Sequence, residues 1–323
     1  MDFLNLPSNW SWFVQAPHQI EISRDQGRCA CCWAIAVASC LGDRFALKYN
    51  IKSPKPSILS AVLLCRQNKN MCGDKNGCYG GNSIKLVNML ISGYYLGLEK
   101  CLNFEKTLNQ ITNEKNDISY KKKVFSHDLN AVNNLCRKDL IKNVKFQIER
   151  ANWLKVVDIN SMKKGFYTRK EIEDTIYEMK KSIVEEGPIT GEFIVSDILA
   201  KIFNYQFNSY ENMPVYSRPL DEDIEKTENH VAVITGWGKS YNQYGILVPY
   251  WEIRNSFGYD KNFYGIFKIE MTTYERQKYS FGIDVPLYNT KSGKFITPPP
   301  IILKPKEIEN LEELIENKIF ERI

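Results

Sequence analysis

Apolar and polar positions along this chain form a few long, legible stretches. From Cys32 to about Lys48 the residues are mostly good helix formers, with no proline and only Gly42 as a breaker, which predicts a helix starting at Cys32. Asn229-His230-Val231-Ala232-Val233-Ile234-Thr235, closed by Gly236-Trp237-Gly238, predicts a buried strand with His230 at its entrance. Tyr250-Trp251-Glu252-Ile253-Arg254 predicts a second strand, running into a polar turn at Asn255-Ser256-Phe257-Gly258. Near the C-terminus, Ile308, Leu311, Leu314, Ile315 and Ile319 recur at helical spacing with Glu and Lys between them. This predicts an amphipathic helix over 306–323, after a stiff linker at Thr297-Pro298-Pro299-Pro300, that docks on its own body or on a partner. No apolar run approaches the roughly 20 residues needed to span a membrane.

Composition adds little that redirects this picture. With 43% hydrophobic and 25% charged residues, the 323-residue chain has ample core material for a globular enzyme. The net charge of +5 is modest, and the lysines between Lys106 and Lys164, densest at Lys121-Lys122-Lys123, read as a solvated face, so no nucleic acid is required as a partner. Met1 to Ser11 has neither a basic n-region nor an apolar h-region, so no signal peptide is expected, and the compartment stays open. The abundance of Asn, Lys and Ile suits an AT-rich genome, as in a large DNA virus or a protist. The nine cysteines form no Cys-x-x-Cys pairing with His-x-x-x-His, so no zinc site, other metal or cofactor is expected.

The candidate chemistry centres on Gln26-Gly27-Arg28-Cys29-Ala30-Cys31-Cys32-Trp33. A thiol attacks a carbonyl only as thiolate, and a helix N-terminus favours that anion through its unpaired N–H groups and macrodipole. An imidazole nearby would complete the activation. Of the three histidines, His18, His127 and His230, only His230 sits in a segment that fixes its ring. Taken alone, Cys32-Trp33 better describes a structural cysteine buried in a helix. The order Cys32, His230, Asn255 favours catalysis.

At these residues the chain resembles the papain-like cysteine peptidases, and within them the cathepsin B branch. Arg24 to Trp33 is similar to the nucleophile segment, Cys78-Tyr79-Gly80-Gly81 to a Cys-x-Gly-Gly element, and the segments around His230 and Asn255 to those of the base and its orienting residue. Met71 to Asp74 and Glu185 to Gly191 lean toward cathepsin B. The resemblance covers roughly Leu6 to Asn289. It implies an α+β, papain-like two-lobed fold: a helical lobe over about 20–150 carries the nucleophile helix, an antiparallel β-barrel-like lobe over about 171–289 carries His and Asn, and the active-site cleft lies between them. An atypical insertion over about 99–170 would account for the long spacing from Cys32 to His230, and 290–323 would be linker plus helix.

The resemblance also implies roles. Cys32 is the nucleophile, His230 the base held as imidazolium, Asn255 the orienting group, and Gln26 an oxyanion donor beside the Cys32 N–H. Gly80 and Gly81 let a substrate strand approach, and Val231 lines the pocket for the second residue before the scissile bond. Disulfides Cys29–Cys78 and Cys65–Cys72 follow, with Cys101–Cys136 as a third. Ala30, Cys31, Val231 and Phe257 depart from the usual residues; Cys31 makes a vicinal thiol pair, and Phe257 keeps an aromatic shield without an indole N–H. Leu6-Pro7-Ser8-Asn9-Trp10 resembles a mature N-terminus, leaving no room for a propeptide. The implied activity is a cysteine endopeptidase acting on protein or peptide substrates. The alternatives are a protease-fold binding protein with little turnover and a carboxydipeptidase, the latter without the paired histidines it would need.

Overall fold

A computed structural model of the chain describes residues 6–68, 80–101, 144–154, 167–221, 228–289 and 294–323. In order, its elements begin with β1 (Trp10–Ser11), α1 (Trp12–Gln15), α2 (Cys32–Tyr49), α3 (Ile58–Gln67) and α4 (Ser83–Ile91). There follow β2 (Ile148–Trp153), α5 (Arg169–Glu186), β3 (Ile189–Val195), α6 (Asp197–Ile202) and β4 (Val215–Tyr216). The last group is β5 (Glu228–Tyr241), β6 (Leu247–Arg254), β7 (Ile266–Glu270), β8 (Tyr288–Asn289), β9 (Lys294–Phe295), β10 (Ile301–Pro305) and α7 (Leu311–Glu316). Two compact units divide the chain: residues 1–17, 22–24 and 152–302, and residues 18–21, 25–151 and 303–323.

The second unit is built around α2. Every residue from Trp33 to Ala46 is buried, so this helix is enclosed on all sides. Gly42 has a packing reason: a Cβ there would meet the Pro56 ring at 2.6 Å. The helix ends at Asn50, whose left-handed φ of 51° asparagine tolerates. Ser57 and Asn82 cap α3 and α4, accepting from the N–H groups of Ser60 and Lys85. Most of the predicted insertion, including the lysine-rich run and His127, lies outside the described residues.

The C-terminal segment differs from its predicted helix. After the Thr297–Pro300 stretch, Ile301 to Pro305 alternates buried and half-buried positions and forms a strand. The helix is only Leu311–Glu316, six residues, because left-handed backbone at Asn310 (φ 60°) and Lys318 (φ 56°) bounds it on both sides. The apolar residues still turn inward: Phe320 packs on Phe45 and Phe146, with ring centroids 6.1 and 6.3 Å apart, and the Lys52 N–H donates to the Glu321 carbonyl.

The first unit carries the sheet. From β10 the strand order runs β10-β3-β5-β6-β7-β4, with β1 also on β5; these ladders are antiparallel except the β4–β7 pair. Among the described residues these strands form one mixed sheet, antiparallel but for a single parallel pair. Its core includes Phe193, Ile234, Trp251, Ile253 and Phe267, with Met179 and Ile183 contributed by α5. A capping box at Thr168 and Glu171 starts α5, and Gly187 (φ 116°) ends it. At Gly236 a Cβ would lie 2.1 Å from the Trp10 carbonyl oxygen, so only glycine lets β1 lie against β5.

Candidate active site

A chain of short-range hydrogen bonds sets the nucleophile segment. Asp25 Oδ1 accepts from the Gly27 N–H at 2.8 Å, and Gly27 takes the left-handed φ of 54° that the turn requires. The Gln26 carbonyl accepts from the Cys29 N–H, the Cys29 carbonyl from Cys31, and the Cys31 carbonyl from Ala34 and Ile35. Cys31 is thereby the N-cap and Cys32 the first helical residue. No side chain caps this end and no acidic residue occupies the first turn, so nothing on the helix opposes the macrodipole's pull on a sulfur anion.

The two adjacent thiols differ in environment. Cys31 is fully buried, and burial, then the neighbouring Cys32, pushes its thiol well above the usual range. Cys32 is only half-buried, and neither is in a disulfide. Gln26, close to them in sequence, is buried, and Ala30 is exposed. Cys29, Cys65 and Cys101 are disulfide-bonded, whereas Cys72, Cys78 and Cys136, predicted as their partners, lie outside the described residues. Gly81 is fixed by packing, since a Cβ would strike the Trp33 indole at 2.2 Å. Gly80 has φ 97° and open space around it.

His230 stands near the start of β5 in the other unit. Its Nε2 lies 2.8 Å from Asn255 Oδ1, just beyond the end of β6. The Ser256 N–H donates to the same oxygen at 2.9 Å, which identifies that atom as the amide oxygen. Nε2 must therefore carry the proton, and in the neutral ring Nδ1 is the lone-pair nitrogen. Asn255 is itself anchored: its N–H donates to the Gly265 carbonyl, and its carbonyl accepts from Ser23 Oγ at 2.8 Å.

Three phenyl rings enclose the imidazole. Phe257 stacks on it at 5.1 Å and 21°, Phe193 meets it edge-on at 5.5 Å, and Phe203 lies 5.7 Å away. Burial lowers the His230 pKa to about 4, with the Asn255 bond and the charge of Glu192 pulling weakly the other way. Three hydrocarbon faces in place of water favour the neutral ring. Val231 follows His230 and projects to the opposite face of the strand, buried. Phe193, Phe203, Ser23 and Glu192 escaped the sequence reading. Glu192 had a signal: it is the one charged residue in the apolar run Ile189 to Val195.

His18 is exposed, and among the described residues no cluster of His, Cys, Asp or Glu could hold a metal ion. No helix among them is long and apolar enough to cross a membrane.

Comparison with known proteins agrees with this geometry. Residues 6–283 match the papain family cysteine protease profile, and the chain belongs to that family. It is 26% identical over 296 residues to a probable cysteine proteinase, 224L, of Invertebrate iridescent virus 6, covering 84% of this chain and 63% of that protein. It is 23% identical over 308 residues to probable cysteine proteinase 024R of Invertebrate iridescent virus 3, covering 85% and 58%. The chain thus spans about three fifths of the length of these curated relatives. Among solved structures, procathepsin B S9 from Trypanosoma congolense superposes with a TM-score of 0.59 at 18% identity, over 94% of this chain and 79% of that one. Bromelain from Ananas comosus, bound to the inhibitor E64, gives 0.52 at 14% identity, over 93% and 99%. The fold is papain-like.

Proposed function

We propose that this chain is a cysteine endopeptidase that cleaves peptide bonds through Cys32, His230, Asn255 and Gln26. The observation that carries the reading is the Nε2 to Asn255 Oδ1 bond at 2.8 Å, which fixes the tautomer and reserves His230 Nδ1 for proton exchange. As His230 rests neutral, it takes the Cys32 proton as a general base, and the imidazolium forms only as the sulfur attacks. Sulfur bonds to the carbonyl carbon, and the oxyanion is held by the Gln26 side-chain N–H and the Cys32 backbone N–H. The C–N bond then breaks as Nδ1 returns its proton to the leaving amine, leaving a thioester. Water, deprotonated by the same nitrogen, attacks the thioester, and the thiol leaves with that proton.

Cleavage within chains is favoured over removal of C-terminal dipeptides because the sequence has three histidines and no adjacent pair to grip a terminal carboxylate. Gly80, with open space around a left-handed backbone, suits an extended substrate. The test is an electrophilic peptide probe on reduced protein, with the adduct mapped by mass spectrometry, alongside cleavage of internally quenched peptides with free and blocked C-termini. The expected result is one adduct on Cys32, lost in Cys32→Ala, and equal cleavage of both peptides. An adduct on Cys31, or none, overturns the nucleophile. Trimming of free C-termini two residues at a time overturns the endopeptidase.

A further inference from the structure

Glu192 is the residue that the peptidase chemistry leaves unused. In the β3–β5 ladder it is the direct partner of Val231, so the two side chains rise from the same face of the sheet. One carboxylate oxygen, Oε1, accepts from Asn229 Nδ2 at 3.0 Å, and that amide is also tied to the Ile296 carbonyl. The carboxylate is half-buried, and no Lys or Arg among the described residues pairs with it. A half-desolvated carboxylate with one oxygen committed and no cation is an unfavourable arrangement unless a ligand supplies the partner.

We infer that Glu192 makes the pocket beside Val231 select a basic side chain, Lys or Arg, at the second substrate residue before the scissile bond. This rests on the peptidase reading and on Val231 lining that pocket. An ammonium or guanidinium at Oε2 forms a charge-assisted hydrogen bond that no Lys or Arg among the described residues provides. The slender methylene stem of Lys or Arg runs along the Val231 isopropyl group, as such stems do along apolar surfaces, while a broad aromatic ring meets the added bulk of valine.

The experiment uses the full reduced chain and blocked tetrapeptides that differ only in Arg, Lys, Leu or Glu at the second residue before a fluorogenic leaving group. The kcat/KM for Arg and Lys is expected to exceed that for Leu by about tenfold or more. Glu192→Gln, nearly isosteric, removes that advantage chiefly through KM, and Glu192→Lys shifts preference toward the Glu peptide. The same peptides are titrated calorimetrically against Cys32→Ala, with and without Glu192→Gln, so that the pocket is read without turnover. Equal or tighter Leu binding in the Cys32→Ala protein, or an Arg preference unchanged by Glu192→Gln, overturns the inference. So does a Glu192→Gln effect equal for all four peptides, since the residue would then act through His230. Glu192-dependent Arg binding without any cleavage supports the pocket and overturns only the peptidase reading.

Discussion

Two buried polar centres in the same sheet are built in opposite ways. His230 has hydrocarbon on three sides and, among the described residues, one side-chain hydrogen-bond partner, Asn255. Glu252, on the neighbouring strand, is surrounded by donors: Ser11 Oγ at 3.0 Å and Thr235 Oγ1 at 2.8 Å on Oε1, and Tyr210 OH at 2.8 Å on Oε2. Its ladder partner Lys268 donates to the carbonyls of Tyr210 and Met213 and lies 4.1 Å from the Tyr210 ring centroid. Burial lowers Lys268 to about 8 and raises Glu252, against the pull of its hydroxyl donors. The Glu252 centre is satisfied and ties β1, β6 and β7 together. The His230 centre leaves one ring nitrogen without a hydrogen bond among the described residues, which suits reaction better than stability.

That contrast breaks if the two centres respond alike to removal. His230→Ala is expected to lower kcat/KM by about 10⁴-fold or more, since a member of a catalytic group is lost. Its folded protein should remain recoverable, because a cavity among phenyl rings forms with no buried charge. Glu252→Leu should instead destabilise by about 3–5 kcal/mol, leaving Ser11, Thr235 and Tyr210 hydroxyls without their acceptor and Lys268 without its countercharge. Urea denaturation and peptide hydrolysis on both variants settle the matter: a Glu252→Leu protein that folds normally but cannot cleave would reverse the assignments.

Acid titration sharpens the difference. The folded His230 pKa of about 4 lies below the ordinary value of 6.5, so between those pH values the unfolded chain binds more protons and stability rises with pH. On acidification, the loss begins as pH falls below 6.5 and levels off near 4, at about 3 kcal/mol. Glu252 has the opposite sign: raised by burial, it withdraws stability as pH climbs through its folded value. His230→Phe should therefore abolish the His-linked loss between pH 6.5 and 4 and retain the Glu-linked one. Equal urea midpoints shifts for both proteins between pH 7 and 4.5 would contradict the buried neutral imidazole.

The two centres were also unequally legible in the sequence. Cys32 was readable because a thiol opened a helix-forming run, and His230 and Asn255 because each sat at the end of a β-rich one. The phenyl cage was not, since Phe193 reaches His230 only through the β3–β5 register, and Phe203 only through the turn after α6. Glu252 stands as a charge within a strand-like run, but its pairing with Lys268 depends on the β6–β7 register. The C-terminal helix was overread for a related reason. Ile308, Leu314 and Phe320 do all turn inward, yet the chain achieves this with a strand, one short helix and left-handed bends, which helical spacing alone does not distinguish.

The smallest effect separates two tyrosines of the Glu252 centre. Tyr210 OH donates directly to the carboxylate, whereas Tyr250 OH pairs with Tyr210 OH, at 3.2 Å. A bond to a charged acceptor is worth more than one between neutral hydroxyls, so Tyr210→Phe should cost about 1.5–3 kcal/mol and Tyr250→Phe about 1 kcal/mol or less. Both rings stay in place over Lys268, which keeps the cation–π contacts and isolates the hydroxyls. Neither change should move kcat/KM by more than about twofold, because neither ring touches the imidazole cage. If Tyr250→Phe is as costly as Tyr210→Phe, the cluster is held by a hydroxyl chain and not by the carboxylate, and the contrast with His230 loses its basis.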